Sequence, residues 1–282
     1  MQPQLVPVSE RLGRYARDGY VIADGLFSTS AIASVRADLA RVFAHLLRAQ
    51  SLPVHDFATQ VGWRANLISL FGVSVEAYRA ALRQCQRLPA LNALAVSPPL
   101  LKLLRELGLS EPVLASGPSC HFMTDDLCHA GGVDKAPPHQ DWRTMQGSLD
   151  GCVIWLPLTA IDAASYPLEV VPGSHRQGLL DTVPHPVTPA VNDTGVRDED
   201  YVPVMVEPGD VVAFSGFLVH RTGAQGDQRI RLALSLRYNN LVEPSFIERG
   251  YKTPHEPGCQ LELMVENFPT AKQVQAIYTS DD

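Results

Sequence analysis

The sequence is poor in the features that mark several large classes of protein. Its 282 residues contain only five cysteines, scattered and without a C-x-x-C pair, so we expect free thiols in a reducing compartment and no disulfide framework. The longest largely apolar run, residues 152–161, is far shorter than the roughly 20 residues of a membrane-spanning helix. The N-terminus lacks a cationic start followed by an apolar stretch, so no secretory signal is expected.

Positive charge is also scarce. Lys and Arg number 23 against 30 Asp and Glu, a net charge of −7, which argues against nucleic acid or an anionic membrane as the main partner. No G-x-x-x-x-G-K-[ST] or G-x-G-x-x-G phosphate loop occurs, and the stretch around Ser119 lacks the G-x-S-x-G elbow of serine hydrolases. We therefore expect a soluble, cytoplasmic, globular protein.

The pattern of apolar residues divides the chain into two parts. Helical spacing predicts helices over residues 30–50, 74–87 and 99–107, after one early strand over 19–24. Beyond residue 111, short β-rich runs separated by turn residues predict an antiparallel sandwich or barrel. These runs cover residues 113–115, 121–124, 152–158, 168–171, 202–206, 211–214 and 230–238.

The predicted organisation is a single domain over 1–282. It comprises a helical flank (about 1–110), a β core (about 111–240) and a C-terminal tail or lid (241–282), with a solvated loop over 190–201. No strand–helix alternation of the doubly wound kind is present, so the helices are expected to pack as a layer against the β core.

One short segment carries the strongest chemical signal. In PPHQDW (137–142), His139 and Asp141 lie two residues apart, and such residues of an extended segment point to the same side. His220 is the best candidate for a third ligand: it ends the run 209–220, which is predicted to be a turn and then a strand with the histidine at the strand's end. Two histidines and one carboxylate leave coordination positions open, which suits Fe(II) with a bidentate cosubstrate and dioxygen. Alone, H-x-D is common, and a histidine bonded within a turn is an equal alternative.

A second signal lies in the strand after His220. Arg229 and Arg231 share one face of this apolar strand, where an inward guanidinium could bind the far carboxylate of a dicarboxylate cosubstrate. Thr222 could add a hydroxyl to the same carboxylate. The pattern does not choose between the two arginines, and a surface salt bridge is the alternative for each.

Taken together, the motifs resemble the phytanoyl-CoA dioxygenase (PhyH) family over about residues 15–238. The pieces that carry the resemblance are DGYVI (18–22), His139-x-Asp141, Trp155-x-x-Leu158, VPGSH (171–175), Gly209-Asp210, His220-x-Thr222 and Arg231-x-Ala233-x-Ser235. The family consists of Fe(II)/2-oxoglutarate-dependent oxygenases. The resemblance implies a mainly β fold with α, in which N-terminal helices flank a double-stranded β-helix (jelly-roll, cupin-like) core.

The resemblance also implies roles for particular residues. The expected iron ligands are His139, Asp141 and His220, and the residues expected at the cosubstrate are Arg231 (in preference to Arg229), Thr222 and Trp155. A core aromatic is nearly as good an interpretation of Trp155. VPGSH places His175 in a turn, where we expect it to stabilise the turn and not to bind metal.

The expected cofactors are Fe(II), 2-oxoglutarate and O2, and the expected reaction is hydroxylation or another C–H oxidation of a small molecule, with succinate as coproduct. Asp141 favours this outcome over halogenation, because related halogenases need Gly or Ala at that position. Trp142 and Gln146, just after the metal motif, are the predicted substrate contacts.

Three alternatives stay open. The chain could be a non-catalytic jelly-roll protein that binds a small ligand, or a zinc-dependent hydrolase on a cupin-like barrel. Zinc could also bind the pairs Cys120-His121 and Cys128-His129, although adjacent residues of a strand face opposite ways.

Overall fold

The computed structural model describes residues 8–129, 135–192 and 196–255. The helices are α1 (Val8–Asp18), α2 (Thr29–Ala49), α3 (Gln60–Val73), α4 (Val75–Cys85), α5 (Pro89–Ala95), α6 (Pro98–Glu106), α7 (Asp125–His129), α8 (Trp142–Met145) and α9 (Pro244–Glu248). The strands are β1 (Tyr20–Ala23), β2 (Pro112–Met123), β3 (Cys152–Pro157), β4 (Leu168–Val170), β5 (Thr182–Val183), β6 (Ala190–Val191), β7 (Val202–Val204), β8 (Val211–Ser215), β9 (His220–Thr222) and β10 (Arg231–Asn240).

Two antiparallel sheets form the β core. The major sheet has the strand order β1-β8-β3-β10-β2, and the minor sheet has the order β7-β4-β9. The crossed order of strands that are distant in sequence is that of a jelly roll, in which consecutive strands alternate between sheets. The predicted fold class, a jelly roll flanked by helices from the N-terminal part of the chain, is confirmed.

The major sheet separates two apolar clusters, because alternate residues of each strand point to opposite faces. On the face toward the helices, Leu234 and Leu236 of β10 join Ile154 of β3 in a cluster with helix residues such as Leu39 and Phe43. The other face, toward the minor sheet, holds a second cluster of buried residues, among them Val153, Val170, Val204, Val212 and Phe214. The jelly-roll interior therefore lies between the sheets, away from the helical layer.

The predicted helices agree with α2, α4 and α6 to within about two residues. Several other details differ. The two short strands expected over 113–124 are one strand, β2, and residues 60–73 form a helix that the pattern did not show. The loop expected over 190–201 contains β6 and a 3₁₀ turn at Asp198–Asp200.

The Gly209-Asp210 motif joins the β core to the start of the helical layer. Gly209 has φ +106°, a conformation that glycine adopts without the penalty of a Cβ, and its carbonyl accepts from Phe27 N at 2.9 Å. The Asp210 carboxylate accepts from the backbone N–H groups of Gly25 and Glu207, at 2.8 Å each. These bonds fix the entry into β8.

The predicted tail or lid, 241–282, falls mostly outside the described residues, which end at 255. Within the described part of it, Pro244–Glu248 is helical, with Glu243 accepting from Ser245 N and Phe246 N. Among the helices described, each is too short or insufficiently apolar to cross a membrane.

Candidate metal centre and cosubstrate pocket

Backbone pairing brings the two histidines of the candidate site together, although 80 residues separate them in sequence. His139 N donates to His220 O at 2.9 Å, and His220 N donates to His139 O at 3.0 Å. The sequence analysis placed His220 at the end of the strand beginning near Val211, but β8 ends at Ser215, and His220 begins β9. A turn separates the two strands, because the chain crosses there from the major to the minor sheet.

The turn before His220 is stabilised by a hydrogen bond from another segment of the chain. Ser174, in the VPGSH motif, is buried; its Oγ donates to Val171 O at 2.7 Å and accepts from Val219 N at 2.9 Å. Gly173, with φ +81°, permits the tight turn that presents this serine. His175 is not part of the metal-binding cluster, and its Nε2 lies 3.2 Å from Ala16 O. The motif thus supports the position of His220.

Gln140 anchors the segment between the two other ligand candidates. Its side chain is buried; Nε2 donates to Gly178 O (2.8 Å) and Phe217 O (2.7 Å), while Oε1 accepts from Leu180 N (2.8 Å). Asp141 then adopts a helical conformation (φ −65°, ψ −27°) and begins the turn of α8. With Gln140 fixed on the opposite side, His139 and Asp141 both face the interior.

The donor atoms of His139, Asp141 and His220 lie within 4.8 Å of one another, and all three residues are buried. Within the described ranges, these three residues form the one group of three or more His, Cys, Asp or Glu side chains that could hold a metal ion. Nδ1 of His139 lies 2.7 Å from Pro137 O, and Nδ1 of His220 lies 2.9 Å from Leu218 O. A proton on each Nδ1 satisfies these carbonyls and leaves each Nε2 with a lone pair for a metal ion.

The charges at the cluster also suit a divalent cation. Burial, followed by the nearby His139, lowers the pKa of His220 to about 3, so its imidazole is neutral. Burial alone would raise the pKa of Asp141, but the charge of Arg237 and a hydrogen bond with His139 hold it well below its usual range. Neutral imidazoles and an ionised carboxylate are the forms that coordinate metal ions.

Arg231 and Arg229, which the sequence pattern left equivalent, have opposite environments. Arg229 is exposed and bonds to Asp162 (2.7 Å) and Asp227 (2.8 Å). Arg231 is 4% exposed; it donates to Tyr166 O and to Met123 Sδ, and none of the carboxylates described lies within ion-pair distance. Its Nε has no partner there, and burial lowers its pKa to about 10. A buried guanidinium without a counter-ion is suited to an anionic ligand.

Trp155 and Thr222 line the same inner cavity as Arg231 and the ligand cluster. The guanidinium of Arg231 lies 6.0 Å from the centre of the Trp155 ring, at the outer limit of a cation–π contact. The Thr222 hydroxyl accepts from Ala136 N at 3.3 Å, which leaves its own proton free to donate. Their roles at a cosubstrate stay predictions, and their placement beside Arg231 is consistent with them.

A second, larger cavity of about 480 Å³ opens onto the same cluster. It is lined by residues of α4, β2, β10 and the loop at 186–188, and it shares His139, Asp141 and Arg231 with the inner cavity. Its volume lies in the range of about 300–1,000 Å³ typical of small-molecule sites.

Trp142 and Gln146, the predicted substrate contacts, line neither cavity. Trp142 stacks on Phe217 with the ring centres 5.1 Å apart, and its Nε1 donates to Ser148 O at 3.0 Å. Gln146 is exposed and lines a separate shallow cavity with Arg249. Thr144, on the same helical turn, does line the larger cavity. Substrate binding by Trp142 and Gln146 stays a prediction that this placement does not support.

Arg237 is the residue of the site that the sequence analysis missed. Its Nη2 lies 3.2 Å from Asp141 Oδ1, and Nη1 lies 3.3 Å from the hydroxyls of Ser119 and Ser235. Ser235 also bonds to His121 Nε2 at 2.8 Å. Arg231, Ser235 and Arg237 are separated by even numbers of residues along one strand, so the alternation rule could have assigned Arg237 to the interior once Arg231 was assigned there.

A buried cluster of two histidines and one carboxylate with open positions is typical of mononuclear non-haem iron enzymes. The chain belongs to the phytanoyl-CoA dioxygenase (PhyH) family, whose family model matches residues 15–233. This family comprises Fe(II)- and 2-oxoglutarate-dependent oxygenases, as the sequence motifs implied. A "Probable phytanoyl-CoA dioxygenase" of Caenorhabditis elegans is 36% identical over 119 residues, 38% of this chain and 37% of that protein. The match thus spans little more than a third of the relative.

Solved structures show the same fold at low sequence identity. The epimerase SnoN, in complex with Fe3+, alpha ketoglutarate and nogalamycin RO, is 19% identical with a TM-score of 0.56, covering 90% of this chain and 93% of its own. The carbocyclase SnoK from nogalamycin biosynthesis is 17% identical with a TM-score of 0.54, covering 91% and 97%. EctD from S. alaskensis with bound Fe is 18% identical with a TM-score of 0.53, covering 86% and 80%.

Proposed function

We propose that this protein is an Fe(II)- and 2-oxoglutarate-dependent dioxygenase that oxidises a C–H bond of a small molecule, with hydroxylation as the expected outcome. One observation carries the proposal: a buried cluster of two histidines and a carboxylate shares a cavity with Arg231, a buried arginine that has no counter-ion among the described residues. Metal-binding groups and a carboxylate-binding group in one cavity are what a chelating dicarboxylate cosubstrate requires.

His139, Asp141 and His220 would hold the iron. Iron held there would supply the centre for the oxidative decarboxylation of 2-oxoglutarate by O2, which gives CO2 and succinate. The chain's part is orientation: the carbonyls of Pro137 and Leu218 fix the two imidazoles, and Arg237 fixes one oxygen of Asp141. Such supporting contacts are each worth about 10- to 100-fold in metal affinity or activity.

Arg231 would bind the distal carboxylate of 2-oxoglutarate through its unpartnered Nε and neighbouring N–H groups, with Thr222 donating to the same carboxylate. Trp155 and Leu168 provide apolar walls of the inner cavity. These walls exclude water from the carbon chain of the cosubstrate, and they leave the larger cavity as the path for the substrate.

The oxidation that follows depends on which C–H bond the larger cavity presents to the metal. Structures with this fold include an epimerase and a carbocyclase, so the fold by itself does not select one outcome. We propose hydroxylation because the carboxylate of Asp141 occupies the position that a halogenase would leave to chloride. A cytoplasmic location is also proposed, on the basis of free thiols at Cys85, Cys120, Cys128 and Cys152.

The test is turnover of the cosubstrate. Purified protein, stripped of metal and reloaded with Fe(II), is given 2-oxoglutarate and O2, and succinate is measured with and without a panel of small molecules. We expect succinate formation that requires iron and oxygen, rises with a substrate and is lost in Asp141→Ala. Asp150→Ala, which removes an exposed carboxylate outside the metal-binding cluster, is the control and should keep this activity.

Two results would contradict the proposal. Activity that requires zinc and proceeds without O2 or 2-oxoglutarate would identify a hydrolase. Tight binding of iron and 2-oxoglutarate without any succinate, across the whole panel, would identify a binding protein.

A further inference from the structure

The larger cavity carries an excess of positive charge. Its lining contains three arginines, Arg79, Arg231 and Arg237, and one carboxylate, Asp141. His121 also lines it, but burial, and then the charges of Arg231 and Arg237, lower the pKa of His121 to about 3, so that ring adds no charge near neutral pH.

The cofactors of the proposed function do not remove this excess, because the charges of Fe(II) and the 2-oxoglutarate dianion cancel. With both bound, the lining would keep the same net excess of positive charge. The chain as a whole has a net charge of −7, so the cationic cavity is a local feature. It is assembled from α4 and β10, which lie more than a hundred residues apart in the sequence.

Three of the lining side chains, those of Tyr78, Arg231 and Arg237, have a buried donor without an acceptor in the described structure. The Tyr78 hydroxyl is buried and has no partner within the described structure, and the same holds for Nε of Arg237. The exposed Arg79 likewise forms no ion pair with any described carboxylate. Buried donors normally find acceptors, since an unsatisfied one costs about 1–3 kcal/mol. A ligand with several acceptor oxygens would satisfy them.

Another part of the cavity wall is apolar. Leu82, Phe122 and Val187 contribute to it from α4, β2 and the loop at 186–188. The cavity therefore offers a cationic region for an acid group and an apolar region for a carbon skeleton.

We propose that the substrate of this enzyme is a small organic acid, a carboxylate or a phosphate monoester, whose acid group is bound by Arg79 and Arg237 while its apolar body lies along α4 and β2. This inference rests on the proposed function in one respect, namely that the bound acid is a substrate. The binding preference itself depends only on the cavity.

The test compares probes of one shape and different charge: 4-phenylbutyrate, 4-phenylbutyl phosphate and the neutral 4-phenylbutyramide. Each is titrated calorimetrically into protein saturated anaerobically with Fe(II) and 2-oxoglutarate. We expect at least one acid to bind about tenfold or more tightly than the amide, as charge-assisted hydrogen bonds predict. The acid with the larger preference identifies the acid group.

Variants then locate the preference. In Arg79→Gln the acid-to-amide ratio should fall several-fold while the amide affinity stays unchanged. Arg237→Gln should lower the ratio as well, and Arg237→Lys, which keeps the charge beside Asp141, should retain most of it. Arg83→Gln is the matched control: it lies one turn further along α4, pairs with Glu76 and is absent from the cavity lining. It should leave the ratio unchanged.

Equal binding of acids and amide, no binding of any probe at millimolar concentration, or a preference that survives both glutamine variants would overturn the proposal. So would displacement of 2-oxoglutarate by the acids, because the preference would then belong to Arg231. The visible band of the iron–2-oxoglutarate complex is recorded in the same samples. An absent band contradicts the proposed function, whereas a normal band without an acid preference contradicts this inference alone.

Discussion

The two faces of the major sheet differ in what their side chains do. On β10, Leu232, Leu234 and Leu236 point toward the helices and are at most 1% exposed within an apolar cluster. The alternating residues Arg231, Ser235 and Arg237 point into the jelly roll and line the cavity around the metal-binding cluster. One strand thus stabilises the fold with one face and builds the site with the other.

Residues that stabilise the fold and residues that form the candidate site therefore lie on opposite faces of the same strand. The helical layer packs against the apolar face, so the sheet can tolerate guanidinium groups and an open cavity on its second face. Burying Arg231 without a carboxylate is unfavourable for folding, and the apolar face offsets that cost. Substitutions on the two faces should therefore have different signatures.

The largest effect is expected from Leu236→Ala, between the two interior residues Ser235 and Arg237. A buried leucine of this kind contributes about 2–5 kcal/mol, because its removal leaves a cavity in the apolar cluster. Urea unfolding should show this loss, while the folded protein binds Fe(II) and 2-oxoglutarate as before. A variant that keeps wild-type stability but loses cosubstrate binding would break the comparison.

Arg231→Met tests the opposite face. We expect 2-oxoglutarate affinity to fall about a hundredfold, which corresponds to about 3 kcal/mol of charge-assisted hydrogen bonding. The metal-free protein should unfold at no lower urea concentration, since the change removes a buried charge that has no counter-ion among the described residues. Anaerobic titration and urea unfolding check the two halves. Unchanged affinity would contradict the assigned role.

Thr222→Val should sharpen the assignment of the inner cavity. The side chain keeps its shape and loses one donor, so 2-oxoglutarate affinity should fall about fivefold, the equivalent of about 1 kcal/mol. Stability should change little, because within the described residues the hydroxyl accepts one long hydrogen bond, from Ala136 N. The same anaerobic titration measures it, and a loss as large as that of Arg231→Met would mean that Thr222 supports the fold of the site.

The smallest effect is expected from Arg229→Gln. Arg229 is exposed and pairs with Asp162 and Asp227, and such surface pairs are worth about 0–1 kcal/mol. Cosubstrate affinity should stay at the wild-type value. A strong loss of 2-oxoglutarate binding here, with Arg231→Met unaffected, would transfer the anion-binding role to Arg229.

Much of the site could be predicted from the sequence because its signals are local or follow a strand. His139 and Asp141 are two residues apart, and the Gly209-Asp210 turn followed by an apolar strand points to His220. The boundary at His220 was misplaced because the turn between β8 and β9 is itself apolar, with Leu218 and Val219 buried. The spacing of apolar residues along the sequence does not distinguish a buried turn from a buried strand.

Other features could not be read from the pattern. The helix α3 was missed because apolar residues surround its axis: Trp63, Leu67 and Leu70 are buried, while Val61 and Val73 are exposed. Arg79 gives no sequence signal, since its position in a cavity depends on how α4 packs against the β core. Tertiary packing, and not local periodicity, decides such features.

The most direct test of the central claim is an anaerobic titration of Fe(II)-loaded protein with 2-oxoglutarate, followed by visible absorption. We expect the weak metal-to-ligand charge-transfer band at one equivalent of iron and its loss in His220→Ala. In Arg231→Met the band should form only at much higher 2-oxoglutarate concentrations. Failure of the wild-type protein to bind Fe(II), or a band that both variants retain unchanged, would contradict the assignment of this interior face as an iron and 2-oxoglutarate site.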